Sequence, residues 1–278
     1  MTPGSIVTAR EGVVSLHGAP DADTEVVTQA RLGDTARIER EAGGWLKLVL
    51  AHDGYEGWAL ASRFAPGGWP PDGAPVAVIR GLFAHLYAGP DVRSRLNLTA
   101  PLGAPLSLSG PAIPGEMRWW KVYSPGDGGT IHFIQAGDFC ADGTEWAWTD
   151  PGRLREGLVK CARRLLGIPY RWGGTTPWGL DCSGLVQLVY RLHGIALPRD
   201  AHQQAADERM APVAREDILP GDLLFFANLG HVGMAVSGEE FIHATTSGRP
   251  VVQLTAIDDG EWVRKRDGIK RLETGKAA

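Results

Sequence analysis

One cysteine, Cys182, lies where a glycine-rich segment (YRWGGTTPWGLDCSG, 170–184) runs into a predicted helix. Apolar residues after it recur at helical spacing up to Gly194; they are Leu185, Val186, Leu188, Val189 and Leu192. Backbone N–H groups and the positive dipole end at a helix N-terminus favour a thiolate over a thiol. The sequence therefore predicts that Cys182 lies in the first turn of a helix, has a lowered pKa and acts as a nucleophile.

Two histidines are candidates for the base that such a nucleophile needs. His231 lies in HVGMAV and His243 in EEFIHAT, and both runs have the character of strands. His231 shares a strand face with Gly233 and Ala235, whose small size is expected to leave room for a close-packed helix. With His231 as base and His243 accepting its second N–H, the residues predict a Cys-His-His triad with Cys182.

The three candidates belong to a longer series of short motifs. In chain order these are Tyr170-x-Trp172-Gly173-Gly174, Asp181-Cys182-Ser183-Gly184, Leu197-Pro198-Arg199-Asp200, Pro220-Gly221-Asp222-Leu223, His231-Val232-Gly233 and Ile242-His243-Ala244. The series resembles the NlpC-type cell-wall peptidases, papain-like cysteine enzymes that cut peptidoglycan peptides between γ-D-glutamate and a diamino acid. The resemblance covers roughly residues 150 to 270.

The resemblance implies a role for each matching residue. Cys182 corresponds to the nucleophile, His231 to the base and His243 to the residue that orients it. The hydroxyl of Tyr170 corresponds to a family tyrosine near the oxyanion. Positions that shape the substrate cleft correspond to Trp172, Asp181, Ser183, Arg199 and Asp200, of which Asp181 and Ser183 flank the nucleophile.

Other readings of the cysteines carry less weight. Cys161 falls on the apolar stripe of a predicted helix and Cys140 follows a strand-like run, so both are expected to be structural. A cysteine with two histidines could hold zinc through three ligands. No CxxC or HExxH motif accompanies them, and the phosphate-loop patterns GxxxxGK[ST] and GxGxxG are absent. We therefore expect no metal and no cofactor.

The first 145 or so residues have a different character, with short β-type runs, many glycines and prolines and no helical period. They also contain a repeat. WLKL at 45–48, followed by Asp-Gly, recurs 74 positions later as WWKV at 119–122, again followed by Asp-Gly. The repeat predicts two small β-barrels. The first copy, GWLKL…DGYEGWA, resembles bacterial SH3-like domains, and the second is a divergent copy without the GYxGW pattern.

The chain is thus predicted to contain three domains in an α+β architecture. They are a first module at 1–67, a second module at 75–142, and a papain-like catalytic domain at 150–272. Asp150 and Pro151 have the residue types of an N-cap and a first helical position, so a helix is expected to begin the catalytic domain.

The resemblance also implies a role for the first module. In relatives with an SH3-like domain ahead of the peptidase, an acidic residue and the tyrosine of GYxGW receive the free amino group of the substrate's L-alanine. These positions correspond to Asp34 and Tyr55. Relatives more often have glutamate at the acidic position. The implied substrate is an already trimmed peptide with a free amino terminus.

Composition restricts the partners and the compartment. The formal charge of −4 over 278 residues, without a basic tract, argues against nucleic acid as the main partner. Three cysteines form no even-numbered disulfide framework. The amino terminus lacks a long apolar core behind a basic segment, and no stretch reaches membrane-spanning length. We expect a cytoplasmic protein, or alternatively an exported one whose signal has been removed or is not recognised.

Together the residues predict a cysteine endopeptidase acting on the γ-D-glutamyl bond to diaminopimelate or lysine in peptidoglycan stem peptides. Two other functions are kept open. One is a non-catalytic protein that binds cell-wall peptides through its SH3-like modules. The other is an amidase or acyltransferase on the same papain-like scaffold, because the triad does not by itself specify the acyl group.

Overall fold

The computed structural model describes residues 2–141 and 150–273, and the chain divides into two compact units, Met1–Glu145 and Trp146–Ala278. The first unit consists of β-strands, and the second combines helices with an antiparallel sheet. The predicted end of the second module, residue 142, lies just outside the described residues. None of the helices described is long and apolar enough to cross a membrane.

The first unit contains two seven-stranded antiparallel sheets, one in each module. The strands of the first module are β1 (Ile6–Ala9), β2 (Val13–His17), β3 (Val26–Arg31), β4 (Thr35–Ala42), β5 (Trp45–Leu50), β6 (Glu56–Leu60) and β7 (Phe64–Pro66). Those of the second are β8 (Val76–Ile79), β9 (Phe83–Tyr87), β10 (Leu96–Pro101), β11 (Pro105–Pro111), β12 (Trp119–Tyr123), β13 (His132–Gln135) and β14 (Phe139–Ala141).

The two sheets have the same strand order. The first runs β3-β2-β6-β5-β4-β1-β7 and the second β10-β9-β13-β12-β11-β8-β14, which is the same order shifted by seven strands. Alternating burial along β2 and β5 shows that one side of each strand faces a core. The repeat read from the sequence is therefore a repeat of strand order.

One position of the repeat has changed its chemistry. Leu48 pairs with Gly57 in the first module, and Val122, 74 positions after Leu48, pairs with His132 in the second. His132 therefore takes the place in the second module that Gly57, the glycine before Trp58, has in the first. A Cβ on Gly57 would lie 2.7 Å from that of Leu16, so a side chain at this point needs a different neighbourhood.

The cores of the two modules are joined. Leu32, which follows β3, is fully buried and packs in the hydrophobic cluster of the second module. The indole N–H of Trp69 donates to the carbonyl of Pro105 at 3.1 Å. The modules are consequently packed against each other as parts of one compact unit.

The second unit is built around a six-stranded antiparallel sheet of order β17-β22-β18-β19-β20-β21. Its elements are α1 (Pro151–Arg163), β15 (Thr175–Thr176), β16 (Gly179–Leu180), α2 (Cys182–Leu192), α3 (Ala201–Ala206), β17 (Met210–Pro212), β18 (Leu223–Phe226), β19 (His231–Ala235), β20 (Glu240–Ala244), β21 (Val252–Ala256), α4 (Gly260–Lys265) and β22 (Arg266–Leu272). Helix α2 packs against β19 and β20. The predicted start of α1 is confirmed, since Asp150 accepts a hydrogen bond from the Arg153 N–H at 2.9 Å.

Candidate active site

Cys182 is the first residue of α2, as its predicted place in the first turn requires. Asp181 caps the helix, and its carboxylate accepts the Gly184 N–H at 2.7 Å. The backbone N–H groups of Val232 and Ser183 lie near the Cys182 sulfur and act to lower its pKa. Because Val232 follows His231 on β19, this contact brings the nucleophile to the strand that carries the predicted base.

Two glycines, Gly174 and Gly184, allow the loop before α2 to pack closely on the start of the helix. The carbonyl of Gly174 accepts the Asp181 N–H at 3.1 Å, and it would lie 2.1 Å from a Cβ on Gly184. Real Cβ atoms do not approach an oxygen so closely, so residue 184 has to be glycine for the loop to pack on the helix start. The glycines of this segment therefore serve close backbone packing.

The two histidines are joined in a hydrogen-bonded chain across three strands. His231 Nε2 lies 2.9 Å from His243 Nδ1, and His243 Nε2 lies 3.0 Å from the Thr255 hydroxyl on β21. If His231 donates through Nε2 and His243 through its own Nε2, the chain ends on the Thr255 oxygen. This tautomer leaves His231 Nδ1 as an acceptor, which is the state a general base needs.

The small residues of β19 have another role than the predicted one. A Cβ on Gly233 would lie 2.5 Å from the ring of Phe241 on β20. The space beside Gly233 is thus filled by an aromatic ring of the neighbouring strand, and not by the cysteine helix. Helix α2 still packs on β19, but the missing side chain of Gly233 is not what admits it.

Burial dominates the electrostatics of the site. It lowers the pKa of His231 to about 4 and that of His243 to about 3. It also raises the pKa of Cys182 to about 11, with a further contribution from the Asp181 charge, against the opposing effect of the two N–H contacts. The predicted lowering of the thiol pKa is therefore wrong, because the helix N-terminus is outweighed by desolvation.

These directions define the resting state of the site. With a raised thiol pKa and a lowered imidazole pKa, Cys182 and His231 are both neutral near pH 7. A neutral thiol has to give up its proton to a base before or as the sulfur attacks a substrate.

Asp181, Ser183 and Arg199 form a buried network at the start of α2. The Arg199 guanidinium, 2% exposed, binds both carboxylate oxygens of Asp181 and donates to the Ser183 hydroxyl at 3.0 Å. Arg199 was expected to line the substrate cleft. The structure shows it buried against the capping Asp181 and beside Ser183, and a role of these three residues in the cleft stays a prediction.

The remaining predicted cleft residues have separate surroundings. Asp200 is the N-cap of α3 and shares a capping box with Gln203. Trp172 is 65% exposed. Burial and the nearby Cys182 and Asp181 charges raise the pKa of Tyr170, so its hydroxyl stays protonated and able to donate.

Asp34 and Tyr55, the predicted amine-binding pair, lie in the first unit. Asp34 is buried, and its carboxylate accepts the Arg31 N–H at 2.9 Å and lies 3.5 Å from Arg31 Nε. Tyr55 is half-buried, and its N–H donates to the Asp53 carboxylate at 3.0 Å. The turn contact of Asp34 with Arg31 was not expected from the sequence, and amine binding stays a prediction.

The other cysteines have structural surroundings. Cys161 is fully buried, and burial raises the pKa of its thiol to about 12. Cys140 is half-buried, with its thiol directed to the Val78 carbonyl. No group of three or more His, Cys, Asp or Glu side chains within 2–141 and 150–273 has the arrangement of a metal site.

Two residues with contacts to the histidines carried no sequence signal. Thr255 meets His243 only through the pairing of β20 with β21, which sets Phe241 opposite Thr255 and His243 opposite Gln253. Trp262 on α4 lies against both imidazoles. A lone tryptophan in a short helix is most often a core residue, so only the three-dimensional structure reveals this position.

Residues 167–271 match the model of the NlpC/P60 family, and residues 16–63 match that of the bacterial dipeptidyl-peptidase Sh3 domain. The γ-D-glutamyl-L-lysine dipeptidyl-peptidase of Bacillus cereus is 26% identical over 88% of this chain and 74% of that protein. The γ-DL-glutamyl hydrolase of Bacillus subtilis is 38% identical over a match that covers 45% of this chain and 31% of that protein.

A solved structure is also similar. The crystal structure of an NlpC/P60 family protein from Bacillus cereus has a TM-score of 0.81 to this chain at 21% identity. The match covers 96% of this chain and 99% of that one. It shows that this chain has the same fold.

Proposed function

Residues 167–271 belong to the NlpC/P60 family of cysteine peptidases, and on this premise we propose that the protein hydrolyses the γ-D-glutamyl–diamino acid bond of peptidoglycan-derived peptides. The observation that carries the proposal is that Cys182 lies beside β19. This strand holds His231, the first member of the hydrogen-bonded chain to His243 and Thr255.

We further propose that each sheet of the first unit closes into a small SH3-like barrel.

The proposed reaction begins with proton transfer from the Cys182 thiol to His231 Nδ1. The sulfur attacks the γ-carbonyl carbon of D-glutamate, and the carbonyl oxygen becomes an oxyanion. The backbone N–H of Cys182, one of the unpaired donors of a helix start, and the Tyr170 hydroxyl donate to this oxygen. His231 then returns the proton to the leaving amine as the C–N bond breaks, leaving a thioester on Cys182.

Water completes the reaction. His231, again neutral, removes a proton from a water molecule, which attacks the thioester carbonyl. The C–S bond breaks, and the proton on His231 goes to the departing sulfur. His243 accepts the His231 Nε2–H throughout, so the imidazole keeps the same orientation in both halves of the reaction.

Comparing alanine variants of Cys182 and Cys140 tests the assignment of Cys182 as the nucleophile. Cys182→Ala should lower kcat/KM on L-Ala-γ-D-Glu-diaminopimelate by roughly 10⁴-fold or more, because no other group supplies the attacking atom. Cys140→Ala, in the other unit, should retain wild-type activity. Near-normal turnover by Cys182→Ala, with peptide products identified by mass spectrometry, would exclude the mechanism.

The preference for a free amine is a separate proposal. Asp34 and Tyr55 match the amine-binding positions that the resemblance implies, and a blocked amine leaves such partners unsatisfied at a cost of roughly 1–3 kcal/mol. We expect the free peptide to be cleaved at least about tenfold faster, in kcat/KM, than its N-acetylated form, equivalent to roughly 1.4 kcal/mol. Asp34→Ala should narrow this ratio, whereas equal rates on both peptides with wild type would refute the preference.

We place this activity in the turnover of released peptides inside the cell. This location rests on the proposed preference for trimmed peptides. Cell fractionation with an antibody against the protein tests it, and recovery in the wall fraction would argue for action on the wall instead.

A further inference from the structure

Helix α4 places an indole against both imidazoles. The ring centroid of Trp262 lies 5.0 Å from that of His231 with the planes at 33°, and 4.6 Å from that of His243 with the planes at 83°. Trp262 is 7% exposed. The indole ring therefore lies over the His231 ring and is nearly perpendicular to the His243 ring, beside the hydrogen bond that joins the two histidines.

The loop that leads into His231 has an unusual backbone. Ala227, Asn228 and Leu229 have φ angles of 56°, 56° and 61°, a left-handed conformation that L-residues rarely adopt in succession. Such a loop persists only when its surroundings hold it. Its geometry decides where β19 begins and hence where His231 stands.

The end of α4 and the start of β22 supply the contacts that hold this loop. The Ala227 N–H donates to the Lys265 carbonyl at 2.8 Å, and the Leu229 N–H donates to the Asp267 carboxylate at 2.8 Å. Lys265 and Asp267 lie three and five positions after Trp262. The same short segment thus contacts the imidazole ring through Trp262 and the backbone ahead of it through Lys265 and Asp267.

We propose that residues 262–267, which we name the α4 clamp, position His231 for catalysis: Trp262 fixes the ring plane and excludes water from the His231–His243 hydrogen bond, and Asp267 holds the left-handed loop. Trp262 and Asp267 are positioning residues, since the proposed reaction gives them no contact with substrate. The inference rests on the proposed function of His231 as the base.

Charged and titratable groups around His231 define the expected pH behaviour. Lys265 on α4 and the burial of the ring both lower the pKa of His231, and Asp181 raises it. His243 on β20 and Cys182 on α2 are its other titratable neighbours. Lys265 also lies 5.4 Å from the Trp262 ring centroid and pairs with Glu261.

Replacing the indole should change this balance in one direction. A smaller side chain admits water, which stabilises the imidazolium, so the pKa of His231 rises. The base works in its neutral form, and activity is lost as pH falls through this pKa. The acid limb of the kcat/KM profile should therefore move to higher pH.

The first test uses Trp262→Leu and Trp262→Phe. For Trp262→Leu we expect about tenfold lower kcat, KM within about twofold, and an acid limb shifted upward by about one pH unit. Trp262→Phe keeps an aromatic ring over His231 and should recover part of both effects. A folded Trp262→Leu protein with wild-type kcat and an unchanged pH profile would overturn the role of the indole.

The second test does not depend on a core substitution. Asp267 is exposed, so Asp267→Ala should fold, and we expect about tenfold lower kcat with little change in KM. Asp267→Asn retains an oxygen that accepts the Leu229 N–H and should restore most of the rate. Asp258→Ala removes an equal charge from an exposed pair with Arg215 and serves as the matched control.

The outcomes separate this inference from the function on which it rests. An inactive wild-type protein would count against the proposed function. An active wild type, with Asp267→Ala indistinguishable from Asp258→Ala in kcat, would overturn the clamp alone. Equal losses in Asp267→Ala and Asp267→Asn would also overturn it, because charge and not the hydrogen bond to the loop would then be the cause.

Discussion

His132 is buried in the second module and His231 is half-buried in the second unit, and their hydrogen-bonded surroundings differ in whether one ring nitrogen stays available. Both nitrogens of His132 are occupied: Nδ1 lies 3.1 Å from Asn97 Nδ2, and Nε2 lies 3.0 Å from Asp127 and 3.2 Å from the Ser124 hydroxyl. His231 uses Nε2 for His243, and its Nδ1 has no hydrogen-bond partner within the part of the chain that the structure describes.

The difference shows what separates a structural histidine from a candidate base. A carboxylate beside an imidazole is not sufficient, because His132 has one and has no nitrogen left to accept a proton from a substrate or nucleophile. His231 lacks a carboxylate in direct contact but keeps one nitrogen available on the strand that contacts Cys182. A ring nitrogen without a partner among the described residues, on the strand beside Cys182, distinguishes His231 from His132.

The strongest test of this contrast replaces each histidine with alanine. His231→Ala should lower kcat/KM by roughly 10⁴-fold, since it removes the group that takes the thiol proton. His132→Ala should leave kcat/KM unchanged at a temperature where the protein is folded. Comparable activity losses in the two variants would break the comparison.

The orienting residue should have an intermediate effect. His243→Ala removes the acceptor of the His231 Nε2–H, so the base remains but its tautomer and orientation are no longer fixed. We expect kcat to fall by roughly 10²-fold, less than for His231→Ala. Steady-state kinetics on the same peptide provides the measurement, and a loss as complete as that of Cys182→Ala would assign His243 a chemical step of its own.

His132 should matter for stability where it does not matter for activity. Its removal takes one hydrogen-bond partner from each of Asp127, Ser124 and Asn97 and opens a gap beside buried Ser124. A lost hydrogen bond of this kind costs roughly 1–3 kcal/mol where water does not replace it. We expect His132→Ala to lower the free energy of unfolding by about 2 kcal/mol in urea titration. An unchanged midpoint would mean that water enters the cluster freely.

The smallest expected effect lies at the end of the histidine chain. Thr255→Val keeps the shape of the side chain and removes the hydroxyl that accepts from His243. We expect about a fivefold decrease in kcat, equivalent to roughly 1 kcal/mol. Thr255→Ser should restore the rate, and a Thr255→Val enzyme with wild-type kcat would show that the chain functionally ends at His243.

The sequence predicted those parts of the site that depend on local pattern. The helix after Cys182 follows from apolar spacing, and the strands of His231 and His243 follow from alternation. The repeated strand order of the two modules was likewise indicated by the Trp-x-Lys repeat. These features require no knowledge of which distant segments meet.

What sequence reasoning missed depends on burial and on long-range pairing. The direction of the Cys182 pKa was wrong because the covering of the helix start is not visible in the sequence. The motif of Arg199 does not reveal that its guanidinium binds the capping carboxylate of Asp181. Thr255 and Trp262 reach the imidazoles only after β20 pairs with β21 and α4 packs on the sheet.

Leu32 has a consequence for how the chain can be divided. It belongs by sequence to the first module, yet it fills part of the core of the second, and Arg31 beside it donates to the Leu102 carbonyl across the same junction. A fragment beginning at residue 75 would start folding with a vacancy in its interior and an apolar face open to water. The boundary predicted between residues 67 and 75 is therefore a boundary of sequence, whereas the smallest piece that can melt or be transplanted as a whole contains both modules.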